Sequence, residues 1–288
     1  SEDGRERGGV EKVTVSPLAV HEPGPRLILG LQRPLDGRTL GEKLGDEAAV
    51  RRVARMSGDA GVRTVSYGSS YRLGCPDSVA GGFPPVLASA LALGAPAIRV
   101  WAGRRMPDGR EDPALPVAAD DFLRVCEAAA AHGVAISTEW HRGTLNDGPE
   151  AHRALFGRLP TGLGRSHWQP DPGLSREANA AILSGIGARL LHLHVFHWAP
   201  DGRRLFLREG RPDWARYLAA ASGTGTGPGP DPLAADAGLA HANVADPWSA
   251  ALLEFVPGDD PAVLAGEAET LRAFAEIGDS RPEAPPAP

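Results

Sequence analysis

A closed α/β barrel is the fold class that this sequence predicts, and three observations predict it. Short apolar runs alternate with Ala- and Leu-rich stretches of helical spacing through most of the 288 residues, the pattern of a parallel sheet covered by helices. Seven such runs stand out and an eighth is less regular, which suits eight strands closed on themselves better than an open sheet. An open nucleotide-binding sheet would also need a Gly-rich turn between an early strand and its helix. "GLGRS" and "GTGTGPG" sit in neither context.

The strands are expected at Val10–Val15, Thr64–Ser70, Ala97–Gly103, Val134–Trp140, Ser166–Gln169, Leu190–Trp198 and Ala251–Val256. "DEAAVRRVARMSGDAG", "SVAGGFPPVLASALALG" and "AADDFLRVCEAAAAHG" precede the second, third and fourth of these, each ending in the Gly that commonly stops a helix. "SREANAAILSGIGARL" leads into Leu190, and "DPAVLAGEAETLRAFAEI" closes the pattern. Arg26–Leu31 reads as the eighth strand but breaks the alternation. One domain is expected over residues 1–278, with an atypical part over 1–60 and a Gly/Pro-rich surface insertion over 223–247. Residues 279–288, "DSRPEAPPAP", are expected to be a disordered tail.

Hydrophobic residues make up 42% of the chain, enough for a sizeable core. The net charge is −6 and no basic block stands out, which argues against nucleic acid as a partner. No run approaches the roughly 20 apolar residues of a membrane span. The charged start, "SEDGRERGGVEKV", argues against an intact signal peptide. Cys75 and Cys126 lack metal-ligand spacing and make no disulfide framework, so a reduced, cytoplasmic protein acting on a small molecule is expected.

Side chains two apart on a strand share a face. Glu139 and His141 therefore point one way at the end of "VAISTEWH", as do His192 and His194 in "LLHLHVFHW". Arg99 pairs with Trp101 on this rule, and His167 with Gln169. A carboxylate inside an apolar strand is costly unless paired or metal-bound, and Glu254 in "LLEFV" is the clearest case. A buried ion pair with Arg99 is the bland reading of Glu254. Glu139, His194 and Glu254 form the alternative, a ligand set for Mn²⁺, Mg²⁺, Co²⁺ or Fe²⁺. His132, His152 and His241 read as surface residues.

At these residues the chain resembles the sugar phosphate isomerase/epimerase family, the xylose-isomerase-like barrels. The likeness runs from about Thr64 to Glu276 through "VSYGSSYRLG", "GAPAIRVWAG", "STEWHRGTLND", "HWQP", "LHLHVFHW" and "LLEFV" in the family's order. It implies a (β/α)8 TIM barrel with an atypical or missing first strand. It also implies one divalent metal held by Glu139, Gln169, His194 and Glu254, with Gln169 standing where many relatives have Asp. Glu139 and Glu254 would be the acid and base of an isomerase or epimerase acting through an enediolate on a sugar or polyol. Arg99, Trp101, His141, His192, His197, Trp198 and His21 are the substrate-binding candidates. "GGVEKVTVSPLAVHEPG" resembles the family's second strand, with His21 in the loop after it. Either Arg26–Leu31 then fills the first slot out of order, or the barrel waits for a partner chain, which allows a homo-oligomer. A lyase, dehydratase or cyclase on a biosynthetic intermediate is the alternative activity. A metal-free binding barrel is a further one, and a DNA-repair phosphodiesterase a distant last.

Overall fold

The computed structural model describes residues 12–17, 28–33, 47–59, 62–105, 113–221 and 250–279. Strands β1 (Lys12–Pro17), β2 (Ile28–Arg33), β3 (Val62–Arg72), β4 (Ala97–Trp101), β5 (Ala135–Glu139), β6 (Arg165–Trp168) and β7 (Leu190–Val195) come first in the chain. They are followed by a two-stranded ribbon, β8 (His197–Trp198) with β9 (Arg204–Leu205), and by β10 (Ala250–Leu253). Helices α1 (Glu47–Asp59), α2 (Phe83–Leu93), α3 (Ala114–Ala130), α4 (Pro149–Phe156) and α5 (Arg176–Ile186) alternate with β3 to β7. Helix α6 (Arg211–Ala221) precedes β10 and α7 (Pro261–Asp279) follows it.

Eight strands close into a barrel in the order β1-β2-β10-β7-β6-β5-β4-β3. The irregular eighth strand does fill a slot out of order: β2 runs parallel to β10, with Ile28 opposite Ala250. β1 lies between β2 and β3 and is antiparallel to both, so the barrel is not the all-parallel array of the simple pattern. The reason is the connection. Only residues 18–27 link β1 to β2, too few for the helical crossover that parallel neighbours require.

Two apolar layers lie between the sheet and the helices. One gathers Tyr67, Val86, Ile98, Phe122 and Leu155 under α1 to α4, and the other gathers Trp168, Leu183, Val195, Trp214 and Leu271 under α5 to α7. Gly164 lets β6 approach this first layer closely. A Cβ there would stand 2.8 Å from Phe122 Cζ, and its φ of 77° already favours glycine. Contacts between strands that are not sheet neighbours must cross the interior. Val65 meets Ala250 and Leu252 in this way, and Ala97 and Ala135 meet Leu191. The register slips where His167 faces His192, one step on β6 against two on β7, so Leu191 is the extra residue.

Several strand ends differ from the expectation. β6 stops at Trp168 and β10 at Leu253, which leaves Gln169 and Glu254 just past their strands. Helices α4 and α6 were not foreseen, because both start on Pro-bearing polar segments, "PEAHRALF" and "RPDWARYLAAA". His152 is buried and not on the surface: it lies on α4, stacked 4.2 Å from the Phe156 ring. His21, His241, the 223–247 insertion and nearly all of the 279–288 tail lie outside the described residues. Among the described residues no helix is long and apolar enough to cross a membrane.

Candidate active site

The interior polar groups collect where the parallel strands end. Glu139 is the last residue of β5, Arg99 the third of β4, His167 the third of β6, and His192 and His194 the third and fifth of β7. Glu254 follows β10 directly, and its N–H donates to Val195 O at 2.9 Å, so the backbone stays tied to β7 after the strand ends. All six residues are buried, at 5% exposure or less.

Their geometry is specific. Arg99 Nε lies 3.2 Å from Glu139 Oε2, and Arg99 Nη1 donates to Ser69 O at 3.1 Å. The guanidinium also sits 4.9 Å over the Trp101 ring. Held on three sides, Arg99 fixes one oxygen of Glu139 and leaves Oε1 turned inward. His194 Nδ1 is 3.5 Å from that Oε1 and 3.3 Å from Glu254 Oε2. His194 Nδ1 is buried and faces both carboxylates, yet it makes a hydrogen bond with neither. On its other side, His194 Nε2 is 3.3 Å from His167 Nδ1. Arg99 therefore pairs with Glu139, not with Glu254 as the bland reading had it.

The environment separates the three imidazoles. Burial alone would push His194 down, but the Glu254 and Glu139 carboxylates outweigh it and raise the pKa to about 9. Burial dominates for His192 and lowers it to about 3, with the charge on His194 adding to the effect. Burial likewise holds His167 well below the usual imidazole value, helped by His192, His194 and Arg99. Two cations, Arg99 and His194, thus stand against two carboxylates. A buried centre of this kind is tolerable only because the charges offset one another.

The sequence-predicted residues do not all come together. Glu139, His194, Glu254 and Arg99 come together in the interior. Trp101 and His141 meet edge to face at 5.2 Å, both partly exposed, beside Arg99 at the mouth. His192 lies next to His167, its Nδ1 accepting from Ala250 N–H at 3.0 Å, which gives it a framework contact. His197 and Trp198 fall on the ribbon instead. They line a separate cavity of about 300 Å³ with Pro170, Asp171, Trp214 and Tyr217. His197 packs against Gly210, where a Cβ would be 2.5 Å from its Nδ1. Gln169 is half-buried one residue beyond β6 and joins none of the contacts around His194. The missed residue is His167. Its shared face with Gln169 was the signal, and the lone imidazole carried no partner that the sequence could name.

No family profile and no curated protein matches this chain in sequence. Solved structures do match in shape. A D-tagatose 3-epimerase-like protein superposes with a TM-score of 0.57 at 14% identity, covering 80% of this chain and 83% of its own. A xylose isomerase domain protein from Planctomyces limnophilus gives 0.57 at 13% identity, over 81% and 83%. A probable 3-DHS dehydratase, AsbF, from Bacillus anthracis gives 0.52 at 15%, over 81% and 85%. The fold is the xylose isomerase-like TIM barrel.

Two carboxylate oxygens and an imidazole nitrogen, donor types that hard divalent cations take, face one another in the interior. The donors encircle His194 Nδ1 and not yet a common centre. Among the described residues no group of three or more His, Cys, Asp or Glu side chains is placed to hold a metal ion.

Proposed function

We propose that this barrel moves a proton next to a carbonyl, isomerising or epimerising a sugar- or polyol-like small molecule through an enediolate. The observation that carries the reading is the placement of two buried carboxylates, on β5 and just past β10, on either side of one imidazole. Glu139 and Glu254 are the acid and base: one, ionised, takes a proton from carbon, and the other, protonated when the substrate is bound, delivers its own proton to the neighbouring carbon or the opposite face. Arg99 holds Glu139 Oε2, and Oε1 is the oxygen that faces His194 and exchanges the proton. Burial keeps both carboxylates out of bulk water. Trp101 and His141 at the mouth offer a flat face and a polar edge to a sugar ring.

Glu139, His194 and Glu254, with Gln169 as a neutral fourth, are the residues that would hold a divalent cation such as Mn²⁺, Mg²⁺, Co²⁺ or Fe²⁺. When bound, such an ion supplies Lewis-acid polarisation of the substrate's carbonyl and hydroxyl oxygens. Metal analysis of protein purified without chelator tests that assignment, and a protein without divalent metal and without affinity for added Mn²⁺ overturns it.

The dehydratase among the structural neighbours favours a second reading that shares the first step. Proton removal next to the carbonyl is the same; a hydroxyl on the adjacent carbon then leaves as water instead of the proton returning. Exchange of solvent deuterium into a panel of ketoses separates the two. Exchange without loss of water supports the isomerase reading, and no exchange with any sugar overturns it.

A further inference from the structure

The cavity lined by His197 and Trp198 takes no part in the steps above, yet its walls begin where the strands of the buried centre end. We propose that this cavity is the pocket for one flat, uncharged ring bearing a hydrogen-bond acceptor, the part of the substrate remote from the reacting carbon. That the ring belongs to the substrate rests on the proton-transfer reading; that the cavity takes a ring does not.

The lining is aromatic where it is apolar and spent where it is polar. Phe196 and Trp198 supply one pair of rings and Trp214 and Tyr217, on α6, another, and such rings favour a further flat ring against them. The volume of about 300 Å³ is at the small end of ligand pockets, the room of a single ring with a short substituent. Arg142 holds Asp171 Oδ1 at 2.9 Å, Arg176 pairs with Asp213, and the Asn179 carboxamide is taken up by the Asp171 and Leu174 backbone. Trp214 Nε1 donates to Phe196 O at 2.9 Å. The Trp198 indole N–H differs: it is buried with no hydrogen-bond partner among the described residues. A buried donor left unmatched is costly, and a ligand acceptor would relieve it. A bare sugar ring would bring several hydroxyls for which these walls have little left to offer. Leu174, at 44% exposure, stands on the lining as a large apolar side chain that such a ring would cover.

Phe255 joins this cavity to the buried centre. It follows Glu254 directly and holds a φ of 52°, a left-handed conformation that is costly for a residue with a Cβ. Its ring meets Trp198 at 4.9 Å and Phe196 at 5.3 Å, and the Arg204 guanidinium lies 5.3 Å over it. Backbone strain of this kind gathers at functional sites, and here it sits between the acid–base carboxylate and the aromatic wall. Phe196 itself stands two residues past His194, about 7 Å along the chain. A substrate reacting between Glu139 and Glu254 thus has the cavity within reach of a short substituent.

The test is binding of benzyl alcohol, followed by proton NMR, to wild type, Trp198→Phe and Leu174→Trp, with folding checked by circular dichroism. Trp198→Phe keeps a flat wall and removes the N–H, whereas Leu174→Trp fills the cavity from an exposed position. Wild type is expected to bind saturably, with nuclear Overhauser contacts from the ligand ring to the Trp214 and Tyr217 rings. Trp198→Phe should bind about fivefold more weakly, and folded Leu174→Trp not at all. Absence of saturable binding in wild type overturns the proposal, as does unchanged affinity in folded Leu174→Trp. Deuterium exchange then reads the substrate's share. The benzyl ether of D-fructose at its terminal hydroxyl should show a KM roughly 10-fold below that of D-fructose. An equal KM overturns the placement of the ring on the substrate. Exchange with neither sugar overturns the proton-transfer reading instead, and benzyl alcohol binding still decides whether the cavity takes a ring.

Discussion

Glu254 and Arg99 have different parts in the same buried centre, and substitution should tell them apart. Glu254→Gln keeps shape and removes a titratable proton acceptor. It should lower deuterium exchange into substrate by about 100-fold or more, and it also removes the carboxylate that most raises His194. Arg99→Met removes the cation 3.2 Å from Glu139 and leaves that carboxylate buried, which should cost about 3–5 kcal/mol in urea unfolding. A Glu254→Gln enzyme at full activity refutes the acid–base assignment. At this scale the sequence was readable where a charged residue interrupts an apolar strand, as at Glu139, His194 and Glu254. It was unreadable where the role depends on the residue across the interior. Arg99 pairs with Glu139 rather than Glu254 because β4 and β5 are neighbours, and His167 finds its ring partner only in a nitrogen on β7.

Between the strands, one amide ties the loop after β5 to three elements at once. Asn146 Nδ2 donates to Thr138 Oγ1 at 2.9 Å and to Ser166 Oγ at 3.1 Å, while its Oδ1 faces His152 Nδ1 at 2.9 Å. It thus ties the loop to β5, β6 and α4 together. Asn146→Ala strands several buried polar groups and should cost about 2–4 kcal/mol, read as a lower urea midpoint with an unchanged m-value. Because the loop follows Glu139 and carries His141, substrate KM should rise as well. A variant as stable as wild type would show that water replaces the amide. The sequence revealed most strands and five helices through period and Gly stops. It concealed α4 and α6, whose polar, Pro-led starts resemble loops, and the reversal of β1, which follows from linker length rather than residue type.

For the molecule as a whole, the buried imidazoles set the response to pH. His152 and His192 are each lowered to about 3, in both cases mainly by burial. Below their unfolded value near 6.5 the unfolded chain takes up protons that the native state refuses, so stability falls with pH. Each should cost about 2 kcal/mol between pH 7 and pH 5. His194, raised to about 9, works in the other direction: its contribution is present below 6.5 and is lost as pH rises through 9. Urea unfolding of the metal-free protein should therefore give its highest midpoint near neutrality, lower at both pH 5 and pH 9.5. A midpoint that rises on acidification contradicts the buried, neutral state of these rings.

The pairing of β2 with β10 also governs when the barrel can form. Ile28 and Ala250 are separated by more than two hundred residues, so this seam cannot be made until nearly the whole described chain has left the ribosome. Before that moment β2 and β7 are exposed sheet edges, open to pairing with another nascent chain. A ribosome stalled ahead of residue 250 should therefore display a protease-sensitive, aggregation-prone sheet. Release of the last strand would convert it in one step to the resistant barrel.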